Sequence, residues 1–352
     1  MTHLSNNSLF NQIEQAVDGY LSPGAQQANL FHGRNLTRFM RPVDFQGLPP
    51  FQEAKSLGPN PVLEKLGYSA EDRLLIVHVD DIGLCQSNVE GFADLVDFGL
   101  VTSGSVMMPT AWAPHAAAYA RQHPEADIGV HMTLTSEWEG NRWSPLSTID
   151  PTTGLVDPDG YMWQHGEDLF ARAKGVAVRQ EMETQAQRAI SMGINPTHFD
   201  SHQFAALQTY LIDYMRVCLD HHMPPIFIRR DKAGFAAIGG IDPDMITMAV
   251  ILVRVLELFK IPMLDNMYMM PLDQPEKRLE NTKNILHQIV PGVTIFICHA
   301  TKESSELVAI TPDAAGRFAD HTTWMSEELR TFIQDEGIHL IGWRALQNLM
   351  PK

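Results

Sequence analysis

The chain reads as an α/β protein built on a mostly parallel sheet, and three observations predict it. Short apolar runs alternate with helical patterns from Leu74 onward, the signature of successive βαβ units. The 352 residues are ample for one large domain that buries most of its apolar surface. Aspartate and histidine recur at the ends of the apolar runs, where a parallel sheet presents its reactive side chains.

The elements follow in chain order. Residues 9–20 carry apolar positions at helical spacing and predict one amphipathic helix. Beyond it the leading segment is rich in Gln, Asn, Pro and Gly, and residues 46–50 read as irregular chain. Residues 1–70 are therefore expected to form an N-terminal extension, a strap over the main body or a contact in a homo-oligomer. In the main domain, residues 71–352, strand candidates lie at 74–79, 102–107, 128–132, 197–200, 226–228, 294–298 and 339–341. Helical patterns occupy 88–98, 114–122, 176–192, 207–221, 244–259, 275–289 and 323–334. Gly193 and Pro196 fit the end of the third helix.

Composition narrows the function. A hydrophobic fraction of 44% and a charged fraction of 19% are those of a globular protein. The net charge of −16 repels a phosphate backbone, and no cluster of Lys and Arg offers a footprint for nucleic acid or an anionic membrane. Three cysteines, Cys85, Cys218 and Cys298, are odd in number, widely spaced and free of any CxxC pair, so a disulfide scaffold is not expected. The N-terminus lacks a basic start followed by an apolar core, which makes the cytoplasm the expected location.

The chemistry concentrates at strand ends. In His78-Val79-Asp80-Asp81-Ile82-Gly83 two adjacent carboxylates stand where an apolar run meets a turn. Such a pair can divide its labour, one member binding a metal while the other takes a proton from water. Alone it reads more readily as a solvated turn. Two further segments change the balance, Asp127 to Thr135 with His131, and Thr197-His198-Phe199-Asp200-Ser201-His202. One carboxylate and two imidazoles around an open position form the donor set of a hydrolytic metal centre. No GxSxG elbow, P-loop or GxGxxG appears. Neighbouring strand residues point to opposite faces, so Asp200, Ser201 and His202 cannot make a local nucleophilic triad.

These residues, together with Gly99 to Met107 and Ile297-Cys298-His299, resemble the YdjC-like or ChbG-type carbohydrate deacetylases from about residue 61 to the C-terminus. The resemblance implies a distorted (β/α) barrel and one divalent metal held by Asp81, His131 and His202. Zinc leads as the ion, with magnesium, manganese, cobalt or nickel as alternatives. It implies Asp80 as general base, His299 as a candidate acid or pocket residue, and Arg229 as a group that orients substrate or Asp80, against the reading of a surface arginine at a strand end. The chain departs from the family pattern at Gln203-Phe204-Ala205, where more histidines are usual, and at Cys298-His299-Ala300-Thr301, where a Pro-Gly pair is usual. The departures put the substrate, more than the chemistry, in question.

The implied activity is metal-assisted removal of an N-acetyl group from an amino sugar, oligosaccharide or related glycan. The alternatives are hydrolysis of another amide or ester and a catalytically silent glycan-binding barrel. The long segment 136–173 carries Trp138, Trp143, Tyr161 and Trp163, either as a platform for a sugar ring or as pins that hold the loop. Met263 to Met270, with four methionines, reads as pocket lining or as ordinary packing.

Overall fold

In a computed structural model that describes residues 8–20, 57–238 and 243–352, the centre is a seven-stranded sheet. Its strands are β1 (Arg73–Ile82), β2 (Ser103–Val106), β3 (Ile128–Met132), β4 (Phe199–Ser201), β5 (Asn266–Met269), β6 (Gly292–Cys298) and β7 (Ile338–Leu340). They run in the order β4-β3-β2-β1-β6-β5, with β7 beside the first residues of β1, and every pairing is parallel. Residues 225–228 join the two edges through single parallel bridges, Phe199 to Pro225 and Ile228 to Leu264. The ring is thus completed by isolated bridges where a regular barrel has a ladder, which is the expected distorted (β/α) barrel.

The sequence of β1 shows why the sheet curls around a core. Leu74 and Ile76 turn inward and pack with Val293, Ile295, Ile297 and Trp343. Leu75, Val77 and Val79 turn outward onto the surrounding helices. That is the period-two alternation of a strand buried on both faces, and it places His78 and Asp80 on the inner face. Val62 and Leu63, from the short helix Pro61–Lys65, enter the same inner core.

The outer layer is helical, including Gln86–Phe98, Ala113–Gln122, Gly175–Ser191, Leu211–Asp220 and Pro243–Leu258. The amphipathic helix Leu9–Tyr20 buries Phe10, Ile13 and Val17 against the last two of these. Residues 46–50 lie outside the described residues. No described helix is long and apolar enough to cross a membrane, and all three cysteines are buried and unpaired.

Several boundaries differ from expectation. The pattern at 207–221 divides at Tyr210 into Ala205–Thr209 and Leu211–Asp220. The pattern at 323–334 straddles two helices, Ala314–Trp324 and Glu327–Asp335, because Ser326 caps the second by accepting from the Leu329 amide. The run around Met263 to Met270 contains β5, with Met267 inside the barrel. Residues 226–228 form bridges and not a full strand.

Candidate active site

Asp80 and Asp81 are neighbours on a strand, so a regular β1 would turn them to opposite faces. The register with β2 shifts between Val79 and Ile82, and Asp81 takes a left-handed backbone with φ 63°. This local break is what lets both carboxylates line one cavity of about 360 Å3, together with His131, His202 and His299. Strain of this kind persists only where surrounding contacts over-determine it, and it gathers at functional sites.

The Asp81, His131 and His202 donors converge. Asp81 Oδ1 lies 3.1 Å from His202 Nδ1 and 3.3 Å from His131 Nε2, and the two nitrogens are 3.3 Å apart. Ligands bonded at zinc distances in a tetrahedron stand about 3.3 Å from one another, so the set fits a small divalent ion. The other nitrogen of each imidazole is held by a carboxylate. His131 Nδ1 meets Asp200 Oδ1 at 2.9 Å, and His202 Nε2 meets both Glu137 oxygens at 3.0 and 3.1 Å. Outer carboxylates of this type fix the tautomer and raise the basicity of a metal-binding histidine.

Asp81 Oδ2 is engaged by Arg317 Nη1 at 2.7 Å, and Arg317 also pairs with Asp313 at 2.8 Å. Burial alone would raise the Asp81 pKa, but Arg317 and the two histidines hold its carboxyl well below the usual range. His131 and His202 are buried, yet the carboxylates around them outweigh burial, raising His131 well above its ordinary value and His202 to about 9. The surrounding carboxylates thus favour positive charge at this pair of imidazoles.

Asp80 is tied to the same network from below. His78, wholly buried, bonds Ser103 at 2.8 Å through Nδ1, while its Nε2 meets Asp200 Oδ2 at 2.9 Å and Asp80 Oδ1 at 3.1 Å. Burial opposes its charge, but Asp200 and Asp80 prevail and push its pKa up to about 9. The small Ser103 and Ser105 on β2 make room for this layer, and Ser105 donates to Asp200 at 2.6 Å. His198 takes no part in the pocket. It stacks on Trp343, and its ring lies so close to Gly129 that a Cβ there would stand 2.5 Å from Nε2.

His299 lines the pocket at the end of β6, with its Nδ1 buried and without a hydrogen bond among the described residues. Burial, then Arg317, holds its pKa below the ordinary value. Arg229 is a correction. It neither lines the pocket nor lies on the surface, since its side chain is buried at the start of β5. Its guanidinium pairs with Glu257 at 2.6 Å and Asp265 at 3.7 Å, and donates to the Leu57 and Gly58 carbonyls. A buried arginine must satisfy its donors locally, so this one anchors the segment at Leu57.

The aromatic residues of the segment 136–173 differ in what they touch. Trp138 lines the pocket beside Arg317. Trp143 and Trp163 pin the loop through indole bonds to the carbonyls of Thr135 and Gly154. Met269 and Met270 reach the pocket wall. Sequence reasoning passed over Glu137, Asp313 and Arg317 as site residues. His78 had a readable signal, because period two sets it on the face of Asp80.

Comparisons with known proteins bear on this site. Residues 74–335 match the family described as YdjC-like protein. A carbohydrate deacetylase of Thermus thermophilus is 31% identical over 82% of this chain and 99% of its own. A carbohydrate deacetylase of Thermoanaerobacter pseudethanolicus is 25% identical over 78% of this chain and 100% of its own. A chitooligosaccharide deacetylase of Serratia marcescens is 29% identical over 46% of this chain and 62% of its own. Among solved structures, a proposed cellobiose-phosphate cleavage protein of Enterococcus faecalis shares the fold, with a TM-score of 0.62 and 22% identity over 78% of this chain and 99% of that one.

Proposed function

The chain belongs to the YdjC-like protein family, and on that premise we propose that it removes an N-acetyl group from an amino sugar, oligosaccharide or related glycan with the help of one divalent metal ion. It is a hydrolase acting on C–N bonds. The observation that carries the metal-dependent reading is the convergence of Asp81, His131 and His202 at one pocket, each imidazole backed by a carboxylate. Zinc suits this mixed nitrogen and oxygen set.

Bound there, the ion would supply Lewis acidity toward the acetyl carbonyl and make water more acidic. The chain's own groups do the rest. Asp80 takes the proton from the attacking water while His78 keeps its carboxylate oriented. The water oxygen bonds to the carbonyl carbon, the C–N bond breaks, and His299 gives a proton to the leaving nitrogen, so that acetate and a free amine result. Because burial and Arg317 disfavour the charged imidazole, this step draws on a minority form of His299 near neutrality. Trp138 offers a face for the sugar ring.

The test is acetate release from N-acetylated sugars by the wild type and by Asp80→Asn. Turnover should vanish in the variant while metal content stays near that of the wild type. Full activity in Asp80→Asn would remove Asp80 from the role of base.

A further inference from the structure

We propose that Asp320 is a positioning residue for His299, and that its buried pair with Arg278 ties this residue to the pocket wall at a fixed spacing from Asp81. The inference rests on the deacetylase reading above, in which His299 gives a proton to the leaving nitrogen. Asp320 and Arg278 are both buried and neither lines the pocket.

The need for such a residue arises where β6 ends. Its ladder with β1 reaches Cys298 and its ladder with β5 reaches Ile297, so the next amide, that of His299, has no strand partner. An amide inside the fold must find its acceptor elsewhere. Asp320 Oδ2 is that acceptor, at 2.9 Å. Burial pushes the Asp320 pKa up to about 6 against the pull of Arg278 and the His299 amide, so the carboxylate is ionised at neutral pH and accepts strongly. The His299 ring has no comparable hold at Nδ1, which makes no hydrogen bond among the described residues. That leaves the backbone to place it.

One helix then sets the spacing of the site. Asp320 stands three residues after Arg317 on Ala314–Trp324, so the two side chains share a face. Arg317 donates to Asp81 while Asp320 accepts from His299. The Thr301 amide donates to the Arg317 carbonyl at 3.2 Å, which fastens the turn after His299 to the same helix. Arg278 adds the wall. Its Nε lies 3.3 Å from Asp320 Oδ1, and its other nitrogens donate to the carbonyls of Pro271 and Asp273, on either side of the pocket-lining Leu272. Gly316 lets the helix approach this segment, because a Cβ there would collide with the Leu272 carbonyl.

As a source of stability the pair is poor. Arg278 Nε and Asp320 Oδ1 make no aligned hydrogen bond among the described residues, and burying two charges carries a desolvation cost that a loose contact does not offset. Its effect is on geometry, and a reacting group misplaced by about 1 Å can lose on the order of 100-fold in rate.

The experiment measures acetate release by the metal-loaded full chain from the β-1,4-linked dimer of N-acetylglucosamine, with Asp320→Leu and Asp320→Asn each made in the wild type and in His299→Ala. Asp320→Leu removes the acceptor and should lower kcat about 100-fold, with KM and metal content near those of the wild type. Asp320→Asn keeps an oxygen for the His299 amide and should lose no more than about tenfold, the difference between a charged and a neutral hydrogen bond. In His299→Ala neither substitution should lower kcat further, because the group they position is gone. A loss of equal size with and without His299, or an unchanged kcat in Asp320→Leu, overturns the positioning role and leaves the deacetylase reading standing. Should Asp320→Leu not fold, Asp320→Asn and Arg278→Gln carry the same cycle: a loss that vanishes in His299→Ala supports the role, and one that persists overturns it. An unchanged kcat in His299→Ala removes His299 as the acid and this inference with it, whereas no acetate from the wild type overturns the deacetylase reading itself and takes the inference down too.

Discussion

Glu137 offers the most direct test of how the candidate site is tuned. Its carboxylate accepts from His202 Nε2 at 3.0 and 3.1 Å and is partly exposed, on a loop beside the pocket. Glu137→Gln keeps an acceptor of the same shape and removes the charge. A hydrogen bond to a charged group is worth about 1.5–3 kcal/mol against about 1 for a neutral pair. The difference, about 1.4 kcal/mol, is tenfold in affinity, at the lower edge of the ~10–100-fold cost of removing outer partners of a metal ligand. Competition with a chromophoric chelator near pH 9 should therefore show metal bound about tenfold more weakly. At lower pH the substitution also loosens the proton that competes for His202, so the contrast should narrow. Asp157→Asn is the control, a carboxylate of the same loop that pairs with Arg142 and touches no histidine of the site. Wild-type affinity in a folded Glu137→Gln protein would refute the claim that this carboxylate tunes His202.

Other outcomes follow from the same geometry. Elemental analysis should find about one divalent ion per chain in the wild type and none in Asp81→Ala, His131→Ala or His202→Ala; metal retained in all three would dissolve the proposed centre. Because His202 is pushed up to about 9, it is protonated near neutrality in the metal-free site, and binding must displace that proton. Affinity should accordingly rise with pH between 6 and 9, and a flat titration would contradict the assignment. Arg229→Ala leaves Glu257 and Asp265 without their buried partner, which costs about 3–5 kcal/mol in comparable pairs. Denaturant unfolding should register that loss while KM is unchanged; a raised KM at normal stability would return Arg229 to a role in substrate binding.

Much of this molecule is local information, and local information is legible in a sequence. The apolar run of β1, with Leu74 and Ile76 on one face and Leu75, Val77 and Val79 on the other, already declares a strand buried on both sides. Strand ends then mark where Asp80, Asp81, His131, His202 and His299 will gather, because parallel strands carry all their C-terminal ends to one side. What the chain alone withheld depends on contacts between distant segments. Arg229 stands at a strand end like the others, yet carbonyls of residues 57 and 58 and the carboxylates of Glu257 and Asp265 claim its donors. Glu137 and Arg317 have no distinguishing neighbours in sequence, and each gains its role only when packing sets it against His202 or Asp81. Asp81 shows the boundary between the two kinds of knowledge most clearly. Alternation along a strand assigns it to the wrong face, and only a left-handed residue, held by Arg317, His131 and His202, turns it back toward Asp80.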